Sequence, residues 1–430
     1  MSRKYDLIIY GASGFTGVYV VEEIVNVLKS GDFKVKHFSW AVAGRSQKKI
    51  SDTLQQVSAL TGVDLKNVDI VIADTSDISA LRKMTAQCSI VLNVVGPYRF
   101  YGENVVKACL AEATSHIDLA GELQFVEKVQ VLHDSEARDK NIYIVGTCGF
   151  DSIPADCGVS YLEKNFDGEI NSIECHVALD MIDPKLSSKI NIGTWSSAVN
   201  FLGNLGENKQ WQERLYTKPL PDPKYKASKR WPLHFSNEVN GWCMPFPGTD
   251  EEIVKRSRYR LFTEENKRPI QYHAYIKFPY LLACFGMMLI GLIALIFAQF
   301  KYGLYLLEKY AHIFSFGLVS HNGPTRDQAE NALFSFHLVA SGWSKKLKNP
   351  QDEHAEPPNK KMELVVSGVN PGYRATAAML LQSAISILQE KDKMPSTGGV
   401  YTPGVAFADT TLVERLQSRG IKFRLSKCVD

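Results

Sequence analysis

Apolar positions in the first 150 residues fall into short runs separated by helical stretches. Tyr5 to Tyr10 (YDLIIY) is a continuous β-rich run of the kind found in a central parallel strand. In VYVVEEIVNVLKSG, Val18, Val21, Ile24, Val25 and Leu28 share one helical face, and Gly31 supplies a stop. HFSWAVAG, Val68 to Ala73 (VDIVIA) and Ser89 to Val95 (SIVLNVV) read as further strands. VVKACLAEAT reads as a helix, and HIDLAGE as the next strand with its exit. This alternation predicts an α/β fold, a Rossmann-type doubly wound parallel sheet over residues 1–150.

From about Asp151 the pattern changes. Asn171 to Met181 alternates like a half-buried strand, and GTWSSAVNFLGNL begins a helix with Thr194 as its cap. Residues 215–270 are rich in Pro, Lys and Arg and read as long loops, GYRATAAMLLQSAISILQ reads as an amphipathic helix, and IKFRL as a closing strand. These features predict a second α+β domain over 151–395, serving substrate binding or dimerisation, and a C-terminal segment, 396–430, that completes the fold.

One segment stands apart. Phe278 to Phe300 carries no charge over 23 residues, and Lys277 and Lys301 border it. Its length meets the requirement for a membrane span. Upstream, Lys255, Arg256, Arg258, Arg260, Lys267 and Arg268 form a basic stretch suited to anionic headgroups. A single crossing would separate residues 302–430 from the first domain, so a hairpin about Gly286 and Gly291, entering and leaving by one face, is expected. The alternative is a buried core or dimer-interface helix.

Composition narrows the field. The chain has 430 residues, 22% charged and 45% apolar, with a net charge of +3. That suffices for two domains and is too near charge balance for a nucleic-acid binder. Eight scattered cysteines without a CxxC, and no clustered histidines, predict reduced thiols and no metal site. The apolar run after MSRK is too short for the core of a cleaved signal peptide, so a cytosolic start is expected.

The candidate chemistry gathers at strand ends, where ligands of such sheets bind. Gly11, Ala12, Ser13, Gly14, Phe15, Thr16 and Gly17 form a strand-to-helix turn able to bring backbone N–H groups to a pyrophosphate. The spacing is GxxGxxG rather than GxGxxG, which leaves a purely structural turn open. Arg45, followed by Ser46, stands where NAD-selective sites place an acid, and so favours NADP over NAD. Asp74, Gly96 and Pro97 are expected to line the same crevice. Tyr98, Tyr101, His116, Asp118, Glu122 and Asp151 lie towards the nicotinamide end. Of these, Tyr98, Asp118 and Glu122 are the catalytic candidates, each with a plainer reading as a helix cap or ion-pair partner.

Together GASGFTG, AGRS, NVVGPYRFYGENVVKAC, HIDLAGE, GTCGFDSIPADCG and the tail GGVYTPGVAF resemble the saccharopine dehydrogenase-like oxidoreductases, from residue 5 to about residue 425. The resemblance implies a Rossmann domain, a second α+β domain inserted after GFDSIP, and a nicotinamide cofactor. The family includes mycobacterial trans-acting enoyl reductases of lipid synthesis, and its animal members are associated with lipid droplets; it leaves the reaction of that branch unassigned. Two readings follow. One is an NADP-dependent oxidoreductase acting on a lipid-related substrate, such as a glycolipid, at a lipid droplet or the cytosolic face of a membrane, with a homodimer as a further option. The other is a noncatalytic cofactor-binding protein of the same surface. A true saccharopine dehydrogenase fits less well, because Arg99 and Arg374 make no clear cluster for a substrate with several carboxylates.

Overall fold

The structure is a computed structural model describing residues 3–31, 36–186, 189–227, 230–349 and 352–426, and Cys428 lies outside them. The apolar runs of the N-terminal half pair because both of their faces need cover. The strands are β1 (Tyr5–Tyr10), β2 (Trp40–Gly44), β3 (Ile70–Ile72), β4 (Cys88–Asn93), β5 (Ser115–Asp118) and β6 (Tyr143–Val145). They lie parallel in the order β6-β5-β4-β1-β2-β3, and the late strand Gly399–Tyr401 adds a seventh, parallel to β6. Helices α1 (Phe15–Ser30), α2 (Gln47–Thr61), α3 (Ile78–Thr85), α4 (Tyr98–Ala111) and α5 (Leu123–Asp139) make the crossovers. Gly31 ends α1 in the left-handed conformation expected of a helix stop. The register sets Tyr10 opposite Ala43 and Asn93, and Asn93 opposite Asp118, so the carboxyl ends of β1, β2, β4 and β5 open on one crevice.

The second domain is built on a mixed sheet ordered Lys422–Leu425, Lys360–Val369, Ala332–Trp343, Glu169–Met181, Gln271–Phe278, Gly241–Pro245 and His234–Ser236. Only Glu169–Met181 and Gln271–Phe278 run parallel. Three expectations are corrected here. Residues 215–270 are not continuous loop: they hold two of these strands and the helix Asp250–Glu265. Helix Ile192–Leu202 starts two residues before Thr194, and its cap is Asn191, whose side chain accepts from Gly193 N at 2.8 Å. Helix Thr376–Gln389 is not amphipathic, because every residue from Thr376 to Ile387 is buried. It packs on α1, β4 and β5, and one hydrophobic core runs from Leu7 and Ile9 through Leu380 and Leu381 to Phe336 and Leu364.

The uncharged segment does not fold as a hairpin about its glycines. Leu281–Ala298 is one continuous helix of 18 residues. Gly286 and Gly291 cost it about 1 kcal/mol each relative to Ala, too little to break a run of Leu, Met and Ala. The reversal comes later, at Gln299–Phe300, where the helix Lys301–Lys309 folds back. A Cβ on Gly303 would lie 2.0 Å from the Phe297 carbonyl oxygen, so only glycine permits this approach. Small residues face inward: Cys284, Ala294 and Ala298 are buried, the last two against Val199 and Leu307. Only 17% of the helix is buried, and Leu282, Phe285, Met288, Leu289, Leu292 and Ile296 point outward. It is therefore not a core helix of this chain.

The basic stretch is consumed inside the protein rather than offered to headgroups. It lies largely on helix Asp250–Glu265, whose face against the first domain buries Arg256, Arg258 and Arg260. Arg258 pairs with Glu163 at 2.6 Å, Arg260 with Asp134 at 3.3 Å and Glu264 at 3.2 Å, and Arg256 reaches Gln130. Arg268 pairs with Glu169, Lys255 with Glu252 and Lys267 with Glu265.

The contrast between the two apolar helices is measurable. Leu381→Ala, at a site with 0% exposure, should lower the unfolding free energy by about 2–5 kcal/mol. Leu282→Ala, at 80% exposure, should change it by less than about 0.5 kcal/mol. Urea unfolding of both variants checks the pair.

Candidate functional site

The turn after β1 has the geometry of a phosphate cradle. Gly11 adopts φ +97°, and a Cβ there would meet Val95 at 2.7 Å. At Gly17 a Cβ would lie 2.3 Å from the Gly11 carbonyl oxygen, so α1 presses directly on the turn. Gly14 differs: it is exposed, and a Cβ there meets only the Gly11 oxygen, at 3.2 Å. Gly11 N and Ala12 N donate to Ala43 O, and Gly14 N to Gly11 O. The N–H groups of Phe15, Thr16 and Gly17 have no acceptor among the described residues, and Gly14 gives α1 no side-chain cap. Three free donors at a helix N-terminus suit an anion. The buried Ala12 and the half-buried Ser13 complete the turn, while the Phe15 ring turns away onto Tyr373, 4.7 Å between centroids.

Around this cradle stand the residues expected to read the cofactor. Arg45 follows β2, exposed, with no hydrogen-bond or ion-pair partner among the described residues. Ser46 caps α2, its hydroxyl accepting from Lys49 N at 3.4 Å. Asp74, after β3, accepts from Ser76 N at 2.9 Å and Ser76 Oγ at 2.7 Å, and these bonds hold its carboxyl below the usual range. Gly96 and Pro97 follow β4 at the crevice, with Gly96 exposed. The groups present fit a dinucleotide whose phosphate meets the turn and whose ribose end meets Arg45.

The three catalytic candidates lie close together but are not equivalent. Tyr98 is buried; its hydroxyl donates to Asn93 O at 3.0 Å and accepts from Leu119 N at 3.3 Å, and burial pushes it far above its ordinary pKa. Glu122 accepts from Tyr98 N at 2.9 Å, Arg99 N at 3.0 Å and Ser197 Oγ at 2.9 Å, so its carboxylate caps α4. Both are placed as struts. Asp118 keeps chemistry in reserve: Oδ1 accepts from Ala120 N and Thr147 N, and burial raises its pKa to about 7. Oδ2 faces His116 Nδ1 at 3.8 Å. Asn93 Oδ1 accepts from Val95 N, which turns Nδ2 onto His116 Nε2 at 3.3 Å. Nε2 is therefore the lone-pair nitrogen, and the ring proton sits on Nδ1, towards Asp118. Tyr101 is exposed on α4.

The fold also assembles groups that the sequence order hides. Past β6, Thr147 at φ +61° and Asp151 at φ +80° hold a strained loop. Burial lifts Asp151 to about 7, and it shares its surroundings with the buried Asp156 and Asp250; neither Asp250 oxygen has a hydrogen-bond partner. On the second sheet His176, His234 and Cys243 converge, their ligand atoms within 4.8 Å of one another. No spacing signal marks these sets, because their members come from separate elements. A cavity of about 680 Å³, lined by Leu220, Tyr225, Arg268, Trp343 and His354, lies in the second domain and shares no residue with the glycine turn.

Comparison with known proteins places the molecule. A rat protein, saccharopine dehydrogenase-like oxidoreductase, is 37% identical over 423 residues, covering 98% of this chain and 97% of its own. The chain belongs to the saccharopine dehydrogenase-like oxidoreductase family. A Caenorhabditis elegans relative, called lipid droplet localized protein, is 37% identical over 438 residues and covers both chains completely. Apo saccharopine dehydrogenase (L-Glu forming) from Saccharomyces cerevisiae shares the fold, with a TM-score of 0.56 at 14% identity over 98% of this chain and all of its own. No family model matches the chain.

Within this family member, the Asp118–His116 pair gives a pH signature. Asp118, raised to about 7, is protonated when folded and ionised when unfolded between about pH 4 and 7. Its stabilising contribution is complete below that window and is lost as pH rises through it. His116, lowered to about 3 by burial, works oppositely: its contribution is lost as pH falls. Asp118→Asn removes only the first effect and keeps an oxygen for both backbone donors. Its unfolding free energy should therefore gain on the wild type by about 1.4 kcal/mol per pH unit across that window. Urea unfolding at a series of pH values reads this directly, and parallel curves would place Asp118 ionised.

Proposed function

We propose that this chain is a nicotinamide-dependent oxidoreductase that prefers NADP and acts on an apolar, lipid-related substrate at a lipid surface. The cofactor preference rests on Arg45, an exposed and unpaired cation at the end of β2 where an NAD site would carry an acid. Backbone N–H groups of Phe15, Thr16 and Gly17 hold the pyrophosphate, Gly14 leaves room for it, and Ser46 and Asp74 border the ribose end. The cofactor supplies hydride chemistry when bound. The protein's part is orientation and a proton: Tyr98 and Glu122 fix the start of α4, and the Asp118–His116 pair holds the proton that accompanies reduction at the end of β5.

The surface reading rests on helix Leu281–Ala298. Seven outward side chains, Leu282, Phe285, Met288, Leu289, Leu292, Leu295 and Ile296, form an apolar face that the described residues leave uncovered. Tyr280, Tyr302 and Tyr305, exposed at its margins, have the amphipathic character favoured at a lipid–water boundary. The helix is about 27 Å long and packed on the body towards both ends, which suits an element lying in the surface rather than crossing it. A lipid droplet or the cytosolic face of a membrane fits, as does the droplet localisation named for the nematode relative.

Calorimetry tests the cofactor. NADPH should bind more tightly than NADH, and Arg45→Ala should narrow that gap roughly tenfold, the scale of one charge-assisted hydrogen bond. Gly14→Val should lose both ligands while keeping the wild-type melting temperature; equal wild-type affinities would refute the preference.

Flotation with emulsified triacylglycerol droplets coated in phosphatidylcholine tests the surface. The wild type should float and Leu289→Arg with Leu292→Arg should stay below. A wild type that stays below, and is dimeric where the double variant is monomeric, would assign the face to a second copy.

A further inference from the structure

The proton and cofactor chemistry above leaves unused the convergence on the outer face of the second sheet. His176 lies on strand Glu169–Met181, Cys243 on Gly241–Pro245 and His234 on His234–Ser236, with Gln271–Phe278 running between the first two. Cys243 and His234 are direct cross-strand partners, and His176 is the partner of Tyr275. Alternation puts all of them on one face. The Tyr275 ring lies against both imidazoles, stacked on His176 at 5.6 Å and edge-on to His234 at 4.9 Å, and walls the group on one side.

Three features distinguish this group from ordinary packing. His176 has 0% exposure, yet neither ring nitrogen has a hydrogen-bond partner among the described residues. A fully buried imidazole without a partner is costly unless something else takes its lone pair. His234 Nδ1 lies 2.9 Å from the Trp231 carbonyl oxygen, so Nδ1 carries the proton; Nε2 is left as a buried lone pair with no partner. An N–H to a backbone carbonyl is the usual way a ligating imidazole is oriented. Cys243 is likewise fully buried, and its thiol makes only a long contact, 3.7 Å, to Gly241 O.

We propose that His176, His234 and Cys243 bind a single zinc ion, with a fourth position open to solvent or to a further ligand. Two imidazole nitrogens and one sulfur are the borderline donors that zinc selects, and the neighbouring carboxylates of Glu174 and Glu238 are paired with Arg230. The ligand atoms, within 4.8 Å of one another, need to close by about 1 Å to meet tetrahedral bond lengths. The thiol gives up its proton on binding. The ion would fasten the edge hairpin, residues 234–245, to the centre of the sheet across the intervening strand. The apolar helix packs against this same hairpin, so the ion braces the platform beneath it.

Full-length protein, stripped with chelator and reduced, should take up one equivalent of Zn²⁺ in competition with a chromophoric chelator. Co²⁺ in place of zinc should give a thiolate charge-transfer band in the near ultraviolet. Cys243→Ser should abolish that band and weaken Zn²⁺ binding by about tenfold or more, and His176→Gln should weaken it similarly. Cys88→Ser, in the first domain, should leave both unchanged. A wild type that binds no zinc, or a cobalt band that survives Cys243→Ser, overturns the site. The wild-type titration decides the matter even where a variant fails to fold.

Discussion

The packing of one buried helix against the parallel sheet of the first domain is the constraint from which the rest of the molecule follows. Thr376–Gln389 touches α1, β4 and β5, and also the late helix Leu412–Ser418, while its own side chains lie within the core shared by both sheets. Ion pairs draw α1 to the second half of the chain: Arg419 takes both oxygens of the buried Glu23, and Arg326 those of Glu22. Removing Arg419 would leave the buried Glu23 carboxylate without its partner. The start of α1 is the glycine turn, so a turn in the first twenty residues is held in place by residues several hundred positions later. The two domains share one hydrophobic core.

That unity decides how the apolar helix can meet lipid. The chain enters it from strand Gln271–Phe278 and returns, through Lys301–Lys309, to strand Ala332–Trp343 of the same sheet. Both ends are thus anchored in a single β-sheet, and the small inward residues let the helix lie against the domain while the large ones face away. On the lipid-surface proposal, a protein built this way would approach a lipid phase broadside. The arginines of the basic stretch are spent bracing helix Asp250–Glu265, so attachment would rely on apolar burial and tolerate neutral surfaces.

Much of this was legible in the residues. The alternation of strands and helices, the strand-to-helix turn and the position of Arg45 follow from periodicity and from glycines whose spacing has a mechanical reason. Where the reading failed, tertiary context overruled local pattern. The serines and Gln382 make Thr376–Gln389 look amphipathic, but a helix clasped on all sides carries no exposed face to signal. Gly286 and Gly291 suggested a bend that continuous helical hydrogen bonding overrides, whereas Gly303, unremarkable in sequence, marks the true reversal. Arg256, Arg258 and Arg260 read as a charged surface because sequence shows charge and not its partners. Glu122 and Tyr98 were visible as strand-end polar residues, yet their role as struts depends on Ser197, Asn93 and Leu119, which only folding brings near. His176, His234 and Cys243 are separated by whole elements and gave no spacing to detect.

The seventh strand of the first sheet has a consequence for how the protein is made. Gly399–Tyr401 pairs with β6, yet it is translated some two hundred and fifty residues after it. During synthesis the first domain therefore emerges with an unpaired sheet edge and no central helix to cover it. Such edges pair readily with other chains, so the nascent protein passes through a long interval in which it is open to association and dependent on protection. A chain interrupted before Gly399 would leave this edge of the sheet open rather than give a smaller working domain.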